Sequence, residues 1–339
     1  SEVASTSVSG AVDVAVLTSE AYAARITETF VGNHSTVNLG AHNLTGVANT
    51  KVLDNANQLV PMASASIASV GGAGLVDVND MTVIAVVGQK DPASQESATR
   101  AYVGSNSDVT ANNVTLDAVS STTVEADASN FSAAGLVAVS VSTITARNAH
   151  DGAVYIGDDT DLTLDGTLHM LADNTVTARP QSKNTGFAGA VSVGSATIRT
   201  DLDADTDAWI GKNGIISADS IDVEARGLHT AEAAALNTGV AGLVDVALLD
   251  VQVVDNGGAS VRIGAANGDA TPGTTSITTT SGGIDLDAAL TSNVTALTSA
   301  TSVSGLGSGI DTDTSAINNA AVKGHIGSGV DVDAATVFH

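Results

Sequence analysis

The chain has no cysteine, four prolines and only eight aromatic residues among 339. Without cysteine there is no disulfide, no thiolate zinc site and no cysteine nucleophile. The longest apolar run, Val83-Ile84-Ala85-Val86-Val87, is of strand length, well short of the roughly 20 residues a membrane-spanning helix needs. Basic residues are scarce too: 12 Lys and Arg stand against 37 Asp and Glu, for a formal net charge of −25. The few cations are scattered singly, so the basic footprint that nucleic acid requires is missing. Anionic membrane surfaces are disfavoured for the same reason, and membrane insertion is not expected. With so few rings, the core must be built from Ala, Val, Ile and Leu. Such a core is thin, and backbones must approach closely.

An acidic surface rich in Thr and Asp suits a soluble protein outside the cell, where divalent cations are plentiful. The absence of cysteine fits a bacterial exported protein. Ser1 opens no signal-peptide pattern, so the chain reads as a mature piece or as a segment of something longer.

What the sequence does contain is a repeat. A planar or ring-bearing residue, a branched residue and a glycine recur as Phe30-Val31-Gly32, Tyr102-Val103-Gly104, Tyr155-Ile156-Gly157, Trp209-Ile210-Gly211, Arg262-Ile263-Gly264 and His325-Ile326-Gly327. Three of the five steps between them are about 53 residues, and the first and last are longer. A second marker precedes each one. It opens at Gly10, Gly74, Gly135, Gly189 and Gly242 with Ala/Leu-Val-x-Val, and a weaker sixth copy reads Ser308-Gly-Ile-Asp-Thr. The two markers stand about 22 residues apart in four of the six units. They are further apart in the second, where "GQKDPASQE" is inserted, and closer in the sixth. A third marker recurs at Val114–Ala118, Leu168–Ala172, Ile221–Ala225 and Ile284–Ala288. In three cases its alanine lies about 17 residues before the next unit's glycine. The unit is therefore about 53 residues long, with approximate bounds 10–73, 74–134, 135–188, 189–241, 242–307 and an incomplete 308–339. Residues 33–62 match poorly and 265–283 read as a loop insertion. The chain starts and stops inside a unit, with Val337-Phe338-His339 beginning a third marker.

The markers alternate apolar and polar residues with period two, as strands do, and Val, Ile and Thr favour that state. Turn clusters such as "GDDTD", "GKNG" and "DNGGA" separate them. Ala-rich "TAEAAALNT" is also compatible with a helix, but its counterparts "VSSTTVEADASNFS" and "ADNTVTARPQSKNT" are not. A short unit with one apolar face cannot bury that face alone, whereas stacked copies bury a continuous core. The expectation is an all-β, elongated, right-handed parallel β-solenoid forming a single continuous body of about six units, each of two rungs.

In "AWIG", Ala208 and Ile210 fall on one strand face and Trp209 on the other. The slot holding Phe30, Tyr102, Tyr155, Trp209, Arg262 and His325 therefore predicts an outward ladder of flat side chains. Such a ladder fixes register; outward rings also suit contacts with sugar rings, so surface glycans are a candidate partner. The run Asp201, Asp203, Asp205, Asp207 would share one strand face, and Asp158, Asp159 and Asp161 form a similar group. Oxygen-rich clusters of this kind suit Ca²⁺, with a solvated acidic face as the plainer reading. No cofactor is required. The seven histidines lack metal-ligand spacing, no serine sits in a G-x-S-x-G elbow, and no glycine run carries the Lys-Ser/Thr of a phosphate loop. Only Arg199 and Lys212 near the aspartate run suggest the grooves of glycan-cleaving solenoids, so no enzyme is expected.

The glycine–Ala/Leu–Val–x–Val marker, the [YW]-[IV]-G marker and the Asp/Thr/Ala-rich filling resemble the repeats of very large bacterial surface and secreted exoproteins, the filamentous-haemagglutinin-like and leukotoxin-like adhesins. The resemblance covers most of the chain outside 33–62. It implies an extracellular or cell-surface β-helical shaft, spacer or filament body and carries over no catalytic residue. Uncapped ends would expose strand edges, so the expected partners are flanking repeats or other copies of the chain, end to end.

Overall fold

The computed structural model describes every residue except 55, 57, 89–95, 267, 270, 272 and 336–339. The "GQKDPASQE" insertion thus lies almost wholly outside the described residues, and Val337-Phe338-His339 lies entirely outside them. Among the described residues there are strands and no helix, and the strands form four parallel sheets.

Each unit lays one strand on each sheet. The long sheet holds β1 (Glu2–Ser9), β6 (Ala63–Ala73), β10 (Val114–Ala134), β14 (Thr167–Ala188), β18 (Ser220–Ala241) and β22 (Ile284–Ser304) in that order, with β5 (Leu44–Lys51) pairing β10 ahead of β6. The chain then turns at the marker glycine into a return sheet of β2 (Val12–Ala23), β7 (Val76–Val87), β11 (Val137–Asn148), β15 (Val191–Leu202), β19 (Val244–Asp255) and β23 (Gly307–Asn318). A third, ladder sheet follows: β3 (Ile26–Val31), β8 (Ser97–Val103), β12 (His150–Ile156), β16 (Asp205–Ile210), β20 (Gly258–Ile263) and β24 (Ala321–Ile326). A corner sheet closes each unit: β4 (Thr36–Asn38), β9 (Asp108–Ala111), β13 (Asp161–Leu164), β17 (Ile215–Ala218), β21 (Thr275–Thr279) and β25 (Val330–Ala334). Strand order is chain order throughout, and each sheet is an open path with two free edges.

Each repeat unit is therefore one layer, not two rungs. The difference lies in the long strands: β14 and β18 run 22 residues each, several times the usual strand length. At about 3.3 Å per residue such a strand spans about 70 Å, whereas six layers at about 4.8 Å stack to only about 25 Å. The segment is a broad slab, so the expected elongation along the stacking direction is not met.

The marker glycines line up. A Cβ on Gly74, Gly135, Gly189, Gly242 or Gly305 would lie between 2.0 and 2.4 Å from the carbonyl oxygen of the glycine one layer earlier. The sixth member is Gly305, just ahead of the weak copy at Ser308. Gly307 and Gly309 stand opposite Val244 and Val246, and the missing valines hid the true start. Counted from Gly305, the last unit recovers the usual spacing to Gly327. Two other irregular stretches also rejoin the pattern. In the poorly matching 33–62, Thr36 pairs with Asp108 and Leu44 with Val114, and the Met62 N–H donates to the Thr123 carbonyl of the next layer. Within 265–283, β21 pairs in register with β17.

Two hydrophobic clusters run through the stack. One fills the space between the first half of the long strands and the ladder and corner strands, with Leu116, Ile156, Leu162, Met170, Ile210 and Ile216 at its centre. The other lies between the second half of the long strands and the return strands, where Ile67, Met81, Ile144, Ile198 and Val251 alternate with alanines such as Ala126, Ala178 and Ala231. Alanine lets the two sheets lie close, and each larger aliphatic contributes about 1.5–3 kcal/mol of burial. The expected single apolar face reverses at the marker itself. Asp77 and Asp245 are fully buried, while Val76 and Val78 point outward half-buried and Leu75, Leu136, Leu243 and Leu306 are exposed at the turn.

Candidate functional site

The ladder stands as the slot pattern predicts. In-register parallel pairing places Phe30 beside Tyr102, Tyr102 beside Tyr155, Tyr155 beside Trp209, Trp209 beside Arg262 and Arg262 beside His325. From Phe30 to Arg262, each precedes a Val or Ile that packs in or against the first cluster. The strand spacing brings rings within stacking distance. Centroids lie 5.1 Å apart for Phe30–Tyr102, 4.5 Å for Tyr102–Tyr155 and 4.4 Å for Tyr155–Trp209, with interplanar angles of 8°, 5° and 6°. The Arg262 guanidinium carbon continues the column 5.7 Å from the Trp209 ring centroid. Burial, with the adjoining Tyr102, pushes the Tyr155 phenol up to about 12. Beside the column, Arg100 pairs with Glu28 at 3.2 Å and with Glu96. The inner ring faces are covered by each other, so the column offers solvent chiefly ring edges.

The aspartate run does not occupy one strand face. Asp201 lies near the end of β15, Asp203 lies at the corner, and Asp205 and Asp207 belong to β16. Asp203 accepts from Arg147 at 3.1 Å, and the Asp207 carboxylate accepts from the Ser260 hydroxyl. The backbone N–H of Asp205 donates to Asp151 at 2.8 Å. At the other corner, Asp158 accepts the backbone N–H of Lys212 at 3.0 Å and Asp161 that of Ile215 at 2.8 Å. Asn33 and Asn213 do the same for Ser105 and Thr274 at 2.9 and 3.0 Å. These side chains tie one layer's corner to the backbone of the next. Asp159 takes the left-handed backbone, φ 55°, in line with His34, Asn106 and Asn213, a conformation Asn and Asp tolerate. Lys212 reaches Asp269 at 2.8 Å, and Arg199 is exposed on β15. Among the described residues, no three His, Asp or Glu side chains gather so as to hold a metal ion.

Two buried polar belts escaped the sequence reading. One separates the hydrophobic clusters. There His150 meets the Ser97 hydroxyl at 2.7 Å through Nδ1 and the Thr99 hydroxyl at 2.9 Å through Nε2. Asn174 donates to the His150 carbonyl at 2.7 Å, and Asn148 donates to the Thr122 and Thr177 carbonyls. Burial and the Arg25 charge lower His150 to about 4, so it is neutral at pH 7. Further along, His229 Nδ1 lies 3.0 Å from the fully buried Asp255. Burial alone would raise that carboxyl; the bonds from His229 and Ser292 outweigh it and hold it below the ordinary range.

The second belt lies behind the marker turn. The column Asp13, Asp77, Ala138, Ser192 and Asp245, buried throughout, ends at the exposed Ser308 and faces Ser7, Gly71, Ser132, Gly186, Gly239, Ser302. Glycine stands where an aspartate needs room: a Cβ on Gly71 would lie 2.5 Å from Asp77 and one on Gly239 would lie 2.0 Å from Asp245. Ser7 donates to Asp13 at 2.7 Å and Ser132 to Asp77 at 2.5 Å. Burial pushes the Asp77 carboxyl up, the Ser132 bond draws it back, and the Asp13 charge raises it again, for a net rise. Asn130, Asn184 and Asn237 form a parallel buried column one step further in. The Asp of the marker was the available signal, but alternation alone assigns it outward.

A scan against protein-family models and searches of curated proteins and of solved structures return no match to this chain.

Proposed function

We propose that the chain is a segment of a right-handed parallel β-solenoid with a structural role, as shaft, spacer or filament body on a bacterial surface or in the extracellular medium. The observation that carries the reading is the unbroken pair of columns, marker glycines and flat side chains, running through all six layers. Right-handedness follows from the general preference of parallel crossovers. Each layer takes up a whole repeat unit, so the body of a wide filament suits the slab better than a thin tether. The resemblance of its markers to filamentous-haemagglutinin-like and leukotoxin-like exoproteins, its acidic surface and its lack of cysteine support an exported setting. The reading assigns no catalytic step and requires no cofactor.

Adding a layer tests it. A second copy of residues 189–241 inserted between Ala241 and Gly242 should fold, keep the strand-type circular dichroism spectrum and thicken the slab by about 4.8 Å in small-angle scattering. An insertion that unfolds the chain, or protrudes as a separate body, refutes the stack. Cleavage of the chain by protease added to intact cells tests the surface setting.

A further inference from the structure

We propose that Tyr102 and Tyr155 form an oxidative cross-linking site, at which one-electron oxidation joins the two phenols carbon to carbon and staples the second layer to the third.

The chain has three tyrosines, and two of them are neighbours in the ladder. Their rings lie 4.5 Å apart and within 5° of parallel. They issue from paired positions on β8 and β12. The same edge of each ring therefore faces outward, and the carbons beside one hydroxyl lie next to those beside the other. That edge is the part an oxidant must reach, and both residues are half-buried, not enclosed. The third tyrosine, Tyr22, is 55% exposed on β2, and among the described residues no ring stacks on it.

The pair is bounded on both sides. Phe30 covers the other face of Tyr102 at 5.1 Å, and a phenyl ring without a hydroxyl holds its electrons far more tightly than a phenol. Trp209 covers the other face of Tyr155 at 4.4 Å and is itself readily oxidised. The Arg262 guanidinium lies over the Trp209 ring. Its charge disfavours a positive indole, so an oxidised Trp209 is refilled by an electron from Tyr155.

Burial raises both phenols, Tyr155 to about 12, so at neutral pH each loses its proton together with the electron. One hydrogen peroxide, acting through a haem peroxidase, takes one electron and one proton from each phenol and leaves as two waters. The two phenoxyl radicals form a bond between ortho carbons. Each of those carbons then passes its hydrogen to its own ring oxygen as aromaticity returns. The net change is two C–H bonds lost and one C–C bond gained. Stacking makes the coupling intramolecular, in place of an encounter between radicals on separate chains. The link closes a loop of about 53 residues, constraining the unfolded chain as a disulfide would in a protein that has no cysteine.

Treating the full chain, kept dilute, with hydrogen peroxide and a haem peroxidase provides the test. The product should remain a monomer and show the blue emission of a biphenol. Proteolysis should yield a peptide pair joined through Tyr102 and Tyr155, two hydrogens lighter than the unlinked pair. Tyr102→Phe and Tyr155→Phe keep a ring in each slot, as Phe30 does, and should each cut the biphenol yield of the monomer at least about 10-fold. Tyr22→Phe should leave that yield unchanged. Circular dichroism checks that the variants keep the fold, and the wild-type peptide map decides alone if either of them unfolds. Absence of biphenol, emission that survives Tyr155→Phe, a link that maps to Tyr155 and Trp209, or biphenol found only in dimers joined through Tyr22 overturns the proposal.

Discussion

Gly189→Ala probes the stacking most directly. Its Cβ would lie 2.0 Å from the Gly135 carbonyl oxygen, a backbone atom with no rotamer to escape into. The two layers must part there by roughly 1 Å or more to reach van der Waals distance, on the order of an overpacked core. Three bonds cross that seam: Gly189 N–H to Ala134 O at 3.2 Å, Ala190 N–H to Leu136 O at 3.0 Å and Val191 N–H to Leu136 O at 2.8 Å. Overpacking costs about 1–3 kcal/mol, and each weakened bond adds up to about 1 kcal/mol. The stiffer unfolded chain returns about 0.4–1 kcal/mol. The net expectation is a loss of about 2–4 kcal/mol. Gly10→Ala makes the same chemical change where nothing lies within 4 Å, so only the unfolded-state gain remains and stability should hold or rise slightly. Urea unfolding of both variants at low protein concentration, followed by Trp209 fluorescence and circular dichroism, reads the difference. Equal midpoints for the two variants would refute the argument that layer contact, and not chain flexibility, demands these glycines.

Three further outcomes follow from the geometry. Trp209→Ala removes the contacts with Tyr155 and Arg262, and should cost about 2–3 kcal/mol in urea unfolding; because ring faces are mutually covered, an oligosaccharide panel should leave wild-type Trp209 fluorescence unchanged, and a saturable shift would revive glycan binding. The His150 pKa falls from 6.5 unfolded to about 4 folded, so its contribution is present above pH 6.5 and is lost as pH falls through 4, up to about 3 kcal/mol; subtracting the pH–stability curve of His150→Gln should reveal that slope, and identical slopes would exclude it. Asp158→Asn keeps the acceptor for Lys212 N–H and should be near neutral, whereas Asp158→Ala should lose about 1–2 kcal/mol; if chelation of Ca²⁺ lowers the wild-type melting temperature and spares Asp158→Asn, the corner binds metal instead.

Sequence spacing revealed the layer order because glycine columns and in-register ring slots are backbone demands repeated at a fixed period. It misjudged the long strands. The alternating pattern from Thr167 to Ala188 is longer than one strand normally covers, and nothing local marks it as unbroken. Alternation also carries no sign: it separates the Asp77 and Val76 faces without telling which is inside. Deciding that needed Gly71 opposite Asp77, a long-range pairing. Gly305 was missed because its flanking Leu306-Gly307-Ser308-Gly309 lacks the valines that define the other copies. The polar belts are invisible for a similar reason, since His150 and Ser97 lie 53 residues apart and meet only through layer register.

Housing a whole repeat unit in a single layer has a mechanical corollary. Held in the stack, a unit contributes about 4.8 Å of length; pulled free, the same stretch of chain extends to about 180 Å. A body under tension along its axis could therefore yield one layer at a time, releasing a long tether at each event while the remaining layers stay intact.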